Sequence, residues 1–179
     1  MRKNIIQNRH DEYHKLTRGE RIGYGMGDFA QNLVFGTIGG FLALHMLTVN
    51  TISTATAGFI FLIVRIINVF WDPMVGTYVD KRSSSAGKYR PWILRAGIPL
   101  VILSALLFAP IPGVRGSVPF AFIIYLVLDL VYSVVNIPYG SLNASLTRDP
   151  ESIDKLTSTR MMLANSANLL VYTLFPMFV

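Results

Sequence analysis

The chain contains no cysteine, and charged residues make up only 15% of its 179 positions. Without cysteine, the sequence cannot form a disulfide scaffold, a thiolate metal site or a cysteine nucleophile. Soluble domains are about one-quarter charged, so a chain that is 52% hydrophobic favours a membrane protein. The net charge of +6 does not indicate nucleic-acid binding, because the basic residues lie in short gaps between apolar runs.

Catalytic and targeting motifs are also missing from the sequence. It has no P-loop and no nucleophile-elbow glycine pattern, so we predict neither an enzyme nor an ATP-driven transporter. His10 and His14 have the spacing of a metal-binding pair, but they lie in a charged tail and are interpreted as solvated, so no metal site is predicted. Residues 1–20 lack the apolar core of a secretory signal.

Long apolar runs dominate the rest of the chain. A membrane-spanning helix needs about 20 mostly apolar residues, and five segments meet this length: 22–49, 54–79, 91–112, 117–143 and 157–179. We therefore predict an all-α transmembrane fold, with residues 1–21 as an N-terminal tail and 22–179 as the membrane region. The final run NLLVYTLFPMFV has no polar cap, from which we expect a truncated chain.

The distribution of lysine and arginine predicts the orientation in the membrane. The tail up to Arg21 holds six of these residues, and the four successive connecting regions hold 0, 5, 1 and 3. Because cytoplasmic loops carry the excess of basic residues, this alternation predicts a cytoplasmic N-terminus.

One apolar segment carries ionisable side chains. Arg65, Asn68 and Asp72 are spaced i, i+3, i+7 and therefore share a helical face. The three residues allow two interpretations: a buried Arg–Asp pair that only fixes helix packing, or a polar stripe that faces an aqueous cavity and holds a cation.

Two further segments repeat this arrangement. Asp28 and Asn32 share a face of the first segment with Tyr24, and Asp129 and Asn136 share a face of the fourth. Arg160 lies near the start of the fifth. Three polar faces in separate helices predict a common water-accessible interior.

The glycine pairs with four-residue spacing predict close helix packing; these are Gly23 with Gly27 and Gly36 with Gly40.

Four stretches carry a family resemblance: YGMGDFAQN (24–32), RIINVFWDPMVGTYVDKRSSSAGKYRPWIL (65–94), YSVVNIPYGSL (132–142) and LTSTR (156–160). With these motifs the chain resembles the glycoside–pentoside–hexuronide:cation symporters, a branch of the major facilitator superfamily whose best-known member is the melibiose permease. The resemblance implies a transporter of twelve helices in two six-helix halves. This chain would supply helices one to five of an incomplete N-terminal half.

The resemblance also implies roles for individual residues. Asp72 matches an aspartate of the family's cation site, and Asn68 stands where the permease has a second carboxylate, so both H⁺ and Na⁺ coupling remain open. Asp28 is given a cavity or packing role only. Four positions match the family's sugar site: Asn32, Asn136, Arg160 and Gly140. Gly140 stands where the permease has a tryptophan, and the identity of the sugar, hexuronides included, stays open.

The connector 76–91 resembles the superfamily's cytoplasmic loop motif between helices two and three. Asp80 is expected to pair with Lys81, Arg82 or Arg90 and to latch the cytoplasmic side in one state, with Lys88 in the same gate loop. These charges could alternatively serve only to set topology.

From these features we expect the N-terminal portion of a symporter that moves a sugar or glycoside with H⁺ or Na⁺ across the plasma membrane. The expected partners are the sugar, a monovalent cation, the lipid bilayer and a missing C-terminal half, with no cofactor beyond the coupling ion. The alternative is a truncated, transport-inactive fragment or a membrane interaction protein.

Overall fold

Every regular element in the described part of the chain is a helix. The computed structural model describes residues 14–82, 88–109, 111, 113–114 and 116–177. The predicted tail before residue 14, with His10, and residues 83–87 of the predicted gate loop lie outside this part. The elements are α1 (Arg18–Thr48), α2 (Thr54–Asp80), α3 (Arg90–Phe108), α4 (Val118–Leu146), α5 (Pro150–Leu174) and a 3₁₀ turn (Phe175–Met177).

Local capping chemistry fixes where two of these helices begin. Ser53 precedes α2, and its side-chain oxygen accepts a hydrogen bond from the Thr56 amide at 3.2 Å. Asp149 caps α5 in the same way, accepting from the Ser152 amide at 3.0 Å. Pro150 follows in the first turn, where its missing N–H costs no intrahelical bond. The fifth helix therefore starts earlier than the apolar run from residue 157 predicts.

Four helices are long and apolar enough to cross a membrane: α1, α2, α3 and residues Val118–Asn143 of α4. Helix α5 has 25 residues, but its composition is not apolar enough to join them. The predicted all-helical membrane fold is confirmed, and the prediction of five spans is confirmed for four.

The surface of the spanning helices is strongly apolar. Phe59, Val69 and Phe70 are 64%, 69% and 69% exposed. Large apolar side chains exposed in this number are unfavourable in water and are typical of helices that contact lipid or other helices.

The described chain divides into two compact units. Among the described residues, those up to 36 and those from 140 onward form the first unit, and those between 37 and 139 form the second. In the first, Leu156 and Ala167 of α5 are buried. The segment before α1 is tied to the α5 region by two hydrogen bonds, from the Leu16 amide to Ser152 Oγ at 3.2 Å and from Thr147 Oγ1 to the His14 carbonyl at 2.6 Å.

The second unit has its own apolar core. Leu42, Met46, Val64 and Leu128 are fully buried there. Phe61 and Tyr125 pack edge-to-face with ring centroids 5.4 Å apart, which joins α2 to α4. This packing places the polar residues of these two helices within reach of each other.

Candidate transport site

Arg160 and Asp28 form a bidentate ion pair between α5 and α1. Arg160 Nε lies 2.5 Å from Asp28 Oδ2, and Nη2 lies 3.1 Å from Oδ1. The two side chains are only 23% and 15% exposed. The Arg160 guanidinium also lies 5.2 Å from the ring centre of Tyr24. Bidentate geometry fixes the guanidinium plane as well as its position.

Gly25 allows the two helices to approach closely enough for this pair. A Cβ atom on Gly25 would lie 2.7 Å from Leu163 Cδ1 and 3.7 Å from the Arg160 Cα. Outside its own helix backbone, no heavy atom of the described residues lies within 4 Å of such a position at the predicted contact glycine Gly23, whereas the predicted Gly36 does contact α5. The prediction of close packing is confirmed at Gly36, and at Gly23 it stays a prediction; Gly25, which no predicted pair includes, also lies against α5.

Asn32 extends the network by one turn. Its Nδ2 donates to the Asp28 carbonyl at 2.8 Å, and its Oδ1 accepts from Asn168 Nδ2 at 3.3 Å. Gly36 lies directly against Asn168, since a Cβ at Gly36 would meet Asn168 Oδ1 at 2.7 Å. The sequence reasoning missed Asn168, although its i+8 spacing from Arg160 on α5 was a usable signal.

A second polar pair lies within the other unit, between α2 and α4. Asn68 Nδ2 donates a hydrogen bond to Asp129 Oδ2, and both residues are buried at 8% exposure. Asn68 Oδ1 is buried with no hydrogen-bond partner among the described residues. The Trp71 indole donates to the Leu130 carbonyl at 3.1 Å, which joins the same two helices. A buried amide oxygen without a donor is unfavourable and is suited to a small ligand that can satisfy it.

The other two members of the predicted α2 stripe are exposed. Neither Arg65 nor Asp72 is buried, so they do not form the buried Arg–Asp pair that was one interpretation. Both side chains lie close enough to interact electrostatically with the Asp129 side chain of α4. Arg65, Asp72 and Asp129 thus bring one basic and two acidic side chains into electrostatic contact.

Asn136 and Gly140 lie one turn apart on α4, and both are exposed. A Cβ on Gly140 would meet no heavy atom within 4 Å, so the helix surface is open at this position. Between them Pro138 is fully buried inside the helix.

Asp80 of the predicted gate loop forms an ion pair with Lys88, which is none of the three partners that the sequence suggested. Asp80 Oδ1 lies 2.9 Å from Lys88 Nζ, whereas Arg82 stacks over the Tyr78 ring at 4.5 Å. The hydrogen bond to Asp80, together with that to Tyr89, raises the pKa of Lys88. Asp80 ends α2, where the helix dipole disfavours a negative charge, and Lys88 offsets that cost. Lys81 follows as the C-cap of α2, and Arg90 begins α3.

A groove of about 730 Å³ also lies in the second unit, lined by residues of α2, α3 and α4 that include Trp71, Met74, Tyr78, Trp92 and Val134. Its walls are almost entirely apolar. A sugar needs several hydrogen-bonding partners, so this groove is not assigned to the substrate.

The structure thus joins Asp28, Asn32 and Arg160 in one unit, and Asn68 with Asp129 in the other. The common interior expected from the three polar faces stays a prediction.

The sequence matches the family described as MFS/sugar transport protein over residues 23–179. It is 39% identical to the uncharacterized symporter YnaJ of Bacillus subtilis, over 91% of this chain and 35% of that protein. It is 38% identical to the glucuronide carrier protein homolog of Escherichia coli, over 80% of this chain and 32% of that protein. With the isoprimeverose transporter of Lactiplantibacillus pentosus it shares 33% identity, over 87% of this chain and 33% of that protein.

The chain spans about a third of the length of these curated relatives. The family consists of transporters and not of enzymes. Because the match covers nearly the whole sequence, the chain belongs to the MFS/sugar transport protein family.

Proposed function

We propose that this chain is the N-terminal portion of a cation-coupled sugar symporter of the plasma membrane. Its helices would be the first five of twelve, with α5 completing the fifth span once it is covered by the remaining helices. The relatives named as symporters and sugar carriers support this reading, as does their threefold greater length. The alternation of basic residues supports a cytoplasmic N-terminus.

The observation that carries the proposal is the buried pair of Asn68 and Asp129. An ionisable group between two apolar membrane-spanning helices is costly, so it is retained where it serves transport or binding. Asp129 lies within electrostatic reach of Asp72 and Arg65, so two acidic side chains accompany one basic side chain, a composition suited to one monovalent cation.

In this proposal Asp72 and Asn68 bind the coupling ion, H⁺ or Na⁺, and Asp129 supplies a further carboxyl group beside them. Asn32, Asn136 and Arg160 bind the sugar hydroxyls, and the open surface at Gly140 sets how large a substrate fits. Amide groups both donate and accept hydrogen bonds, as sugar hydroxyls require. Binding of the cation would raise sugar affinity, and by linkage sugar would raise cation affinity by the same factor.

The gate loop gives this mechanism a cytoplasmic latch. The pair of Asp80 and Lys88 joins the end of α2 to the segment before α3. We propose that it holds the cytoplasmic side in one state, and that the two halves of the symporter rock around the bound sugar.

The test uses the full-length protein that contains this chain. Membrane vesicles with an imposed Na⁺ or H⁺ gradient should accumulate a glycoside, and Asp72→Ala should abolish accumulation against the gradient. A variant that still concentrates sugar would refute the cation assignment. Uptake by residues 1–179 expressed alone would refute the proposal that the remaining helices are needed.

A further inference from the structure

The Asp28–Arg160 pair decides how much positive charge the proposed sugar site offers. The Asp28 carboxylate occupies the Nε and Nη2 donors of the guanidinium. These donors form one of the two edges at which a guanidinium can hold a carboxylate in a bidentate manner. A substrate anion that used this edge would compete with Asp28, and one at the other edge would still meet an arginine whose charge Asp28 offsets.

We propose that Asp28 sets the charge selectivity of the sugar site, so that it accepts uncharged glycosides in preference to the corresponding hexuronides. This inference rests on the proposed function, in which Arg160 contacts the sugar, and it goes beyond that proposal by assigning a class of substrate.

The balance of charges in this partly desolvated place disfavours a substrate anion. Arg160 and Asp28 are mostly buried, so their charges interact more strongly than exposed charges in water. The paired charges cancel, and the neighbouring amides of Asn32 and Asn168 add none. A uronate would lose its hydration without meeting a net positive charge, and it would be repelled by Asp28.

An uncharged glycoside meets no such cost. Its hydroxyls can donate to the Asp28 carboxylate and accept from Asn32 or Arg160, so the ion pair can stay intact. The hydrogen bond from Asn32 to the Asp28 carbonyl ties this turn of α1 to the network and helps to keep the carboxylate in place.

The experiment measures the thermal stabilisation of the purified full-length protein by matched sugars, since any ligand that binds only the native state raises Tm. The probes are 4-nitrophenyl β-D-glucoside against its glucuronide, and the galactoside against its galacturonide. Each pair differs only in the carboxylate. The variant is Asp28→Asn, with Asp28→Glu to keep the charge. Asp154→Asn is the matched control, because it removes an exposed carboxylate from α5.

We expect three proteins to bind the uncharged glycoside of each pair at least about tenfold more tightly than its uronide. These are the wild type, Asp28→Glu and Asp154→Asn. In Asp28→Asn that ratio should fall by about tenfold or more, as expected for a freed charge-assisted pair. A wild-type preference for the uronide, or an equal loss for both members in Asp28→Asn, would overturn the inference while leaving sugar binding intact. If no probe of either pair raises Tm of the wild type, both the inference and the proposed sugar site fail.

Discussion

Asn68 of α2 and Asp129 of α4 form a buried hydrogen bond in which the amide donates to the carboxylate. The bond joins two membrane-spanning helices, and it leaves the Asn68 Oδ1 atom without a partner in the described chain. Asn68 thus holds the Asp129 carboxyl group, and under the proposed function its free oxygen would be offered to the coupling ion.

Loss of the Asn68 amide should destabilise the protein more than loss of the Asp129 charge. Asn68→Leu leaves a buried carboxylate without its donor, which costs about 1–3 kcal/mol. Asp129→Asn retains a hydrogen-bonding partner for Asn68 and should cost less. Thermal unfolding in detergent measures both. Equal losses would contradict the importance of the buried charge.

Gly36 should not tolerate a side chain, whereas Gly23 should. A Cβ at Gly36 would press on Asn168 Oδ1 and disturb its bond to Asn32. We expect Gly36→Ala to cost about 1–3 kcal/mol in the free energy of unfolding. Gly23→Ala meets no atom within 4 Å and should stabilise α1 by up to about 1 kcal/mol. The packing account is wrong if both substitutions have the same effect.

Asp149 should make the start of α5 sensitive to acid. Hydrogen bonds from Ser152 hold the pKa of Asp149 below its usual value. A lowered pKa means that the carboxylate stabilises the folded state at pH values above the ordinary aspartate pKa. This contribution is lost as the pH falls through the lowered value. Asp149→Asn, which still caps the helix, should flatten this part of the pH profile of Tm, and an unchanged profile would contradict the assignment.

The Asp80–Lys88 pair should affect transport more than stability. Both side chains are substantially exposed, and exposed ion pairs contribute little to folding. Lys88→Gln should slow uptake by the full-length protein while leaving Tm nearly unchanged, and the exchange Asp80→Lys with Lys88→Asp should restore the rate. Arg95→Gln, which removes an exposed charge from α3, is the control. If that control slows uptake as much as Lys88→Gln, the latch is not specific.

The apolar runs predicted the helices well because the length of a membrane-spanning helix is set by the bilayer. The first four predicted segments agree with α1 to α4 to within about four residues at each end, which is the usual uncertainty of such boundaries. The start of α5 was missed because the capping of Asp149 and Pro150 extends the helix through a polar turn that an apolar count ignores.

The pairing of polar residues could be predicted only in part. Helical spacing placed Asp28 with Asn32, and Asp129 with Asn136, on common faces. It could not show that Asp28 meets Arg160, or that Asn68 meets Asp129, because these contacts depend on the rotation and register of one helix against another. The same limitation explains Gly25, which contacts α5 although it belongs to neither predicted glycine pair.

The most direct test of the central claim, that the polar residues line one water-filled path, uses the absence of cysteine from the chain. The full-length protein, with any cysteine beyond residue 179 replaced, receives one cysteine at a time in place of Asn32, Asp72, Asn136 or Arg160. Each variant is then treated with a membrane-impermeant thiol reagent. Phe59→Cys and Val69→Cys on the apolar surface serve as controls. We predict rapid labelling at the four polar positions, with slow labelling of the controls. Labelling of the four polar positions no faster than the controls would contradict the account.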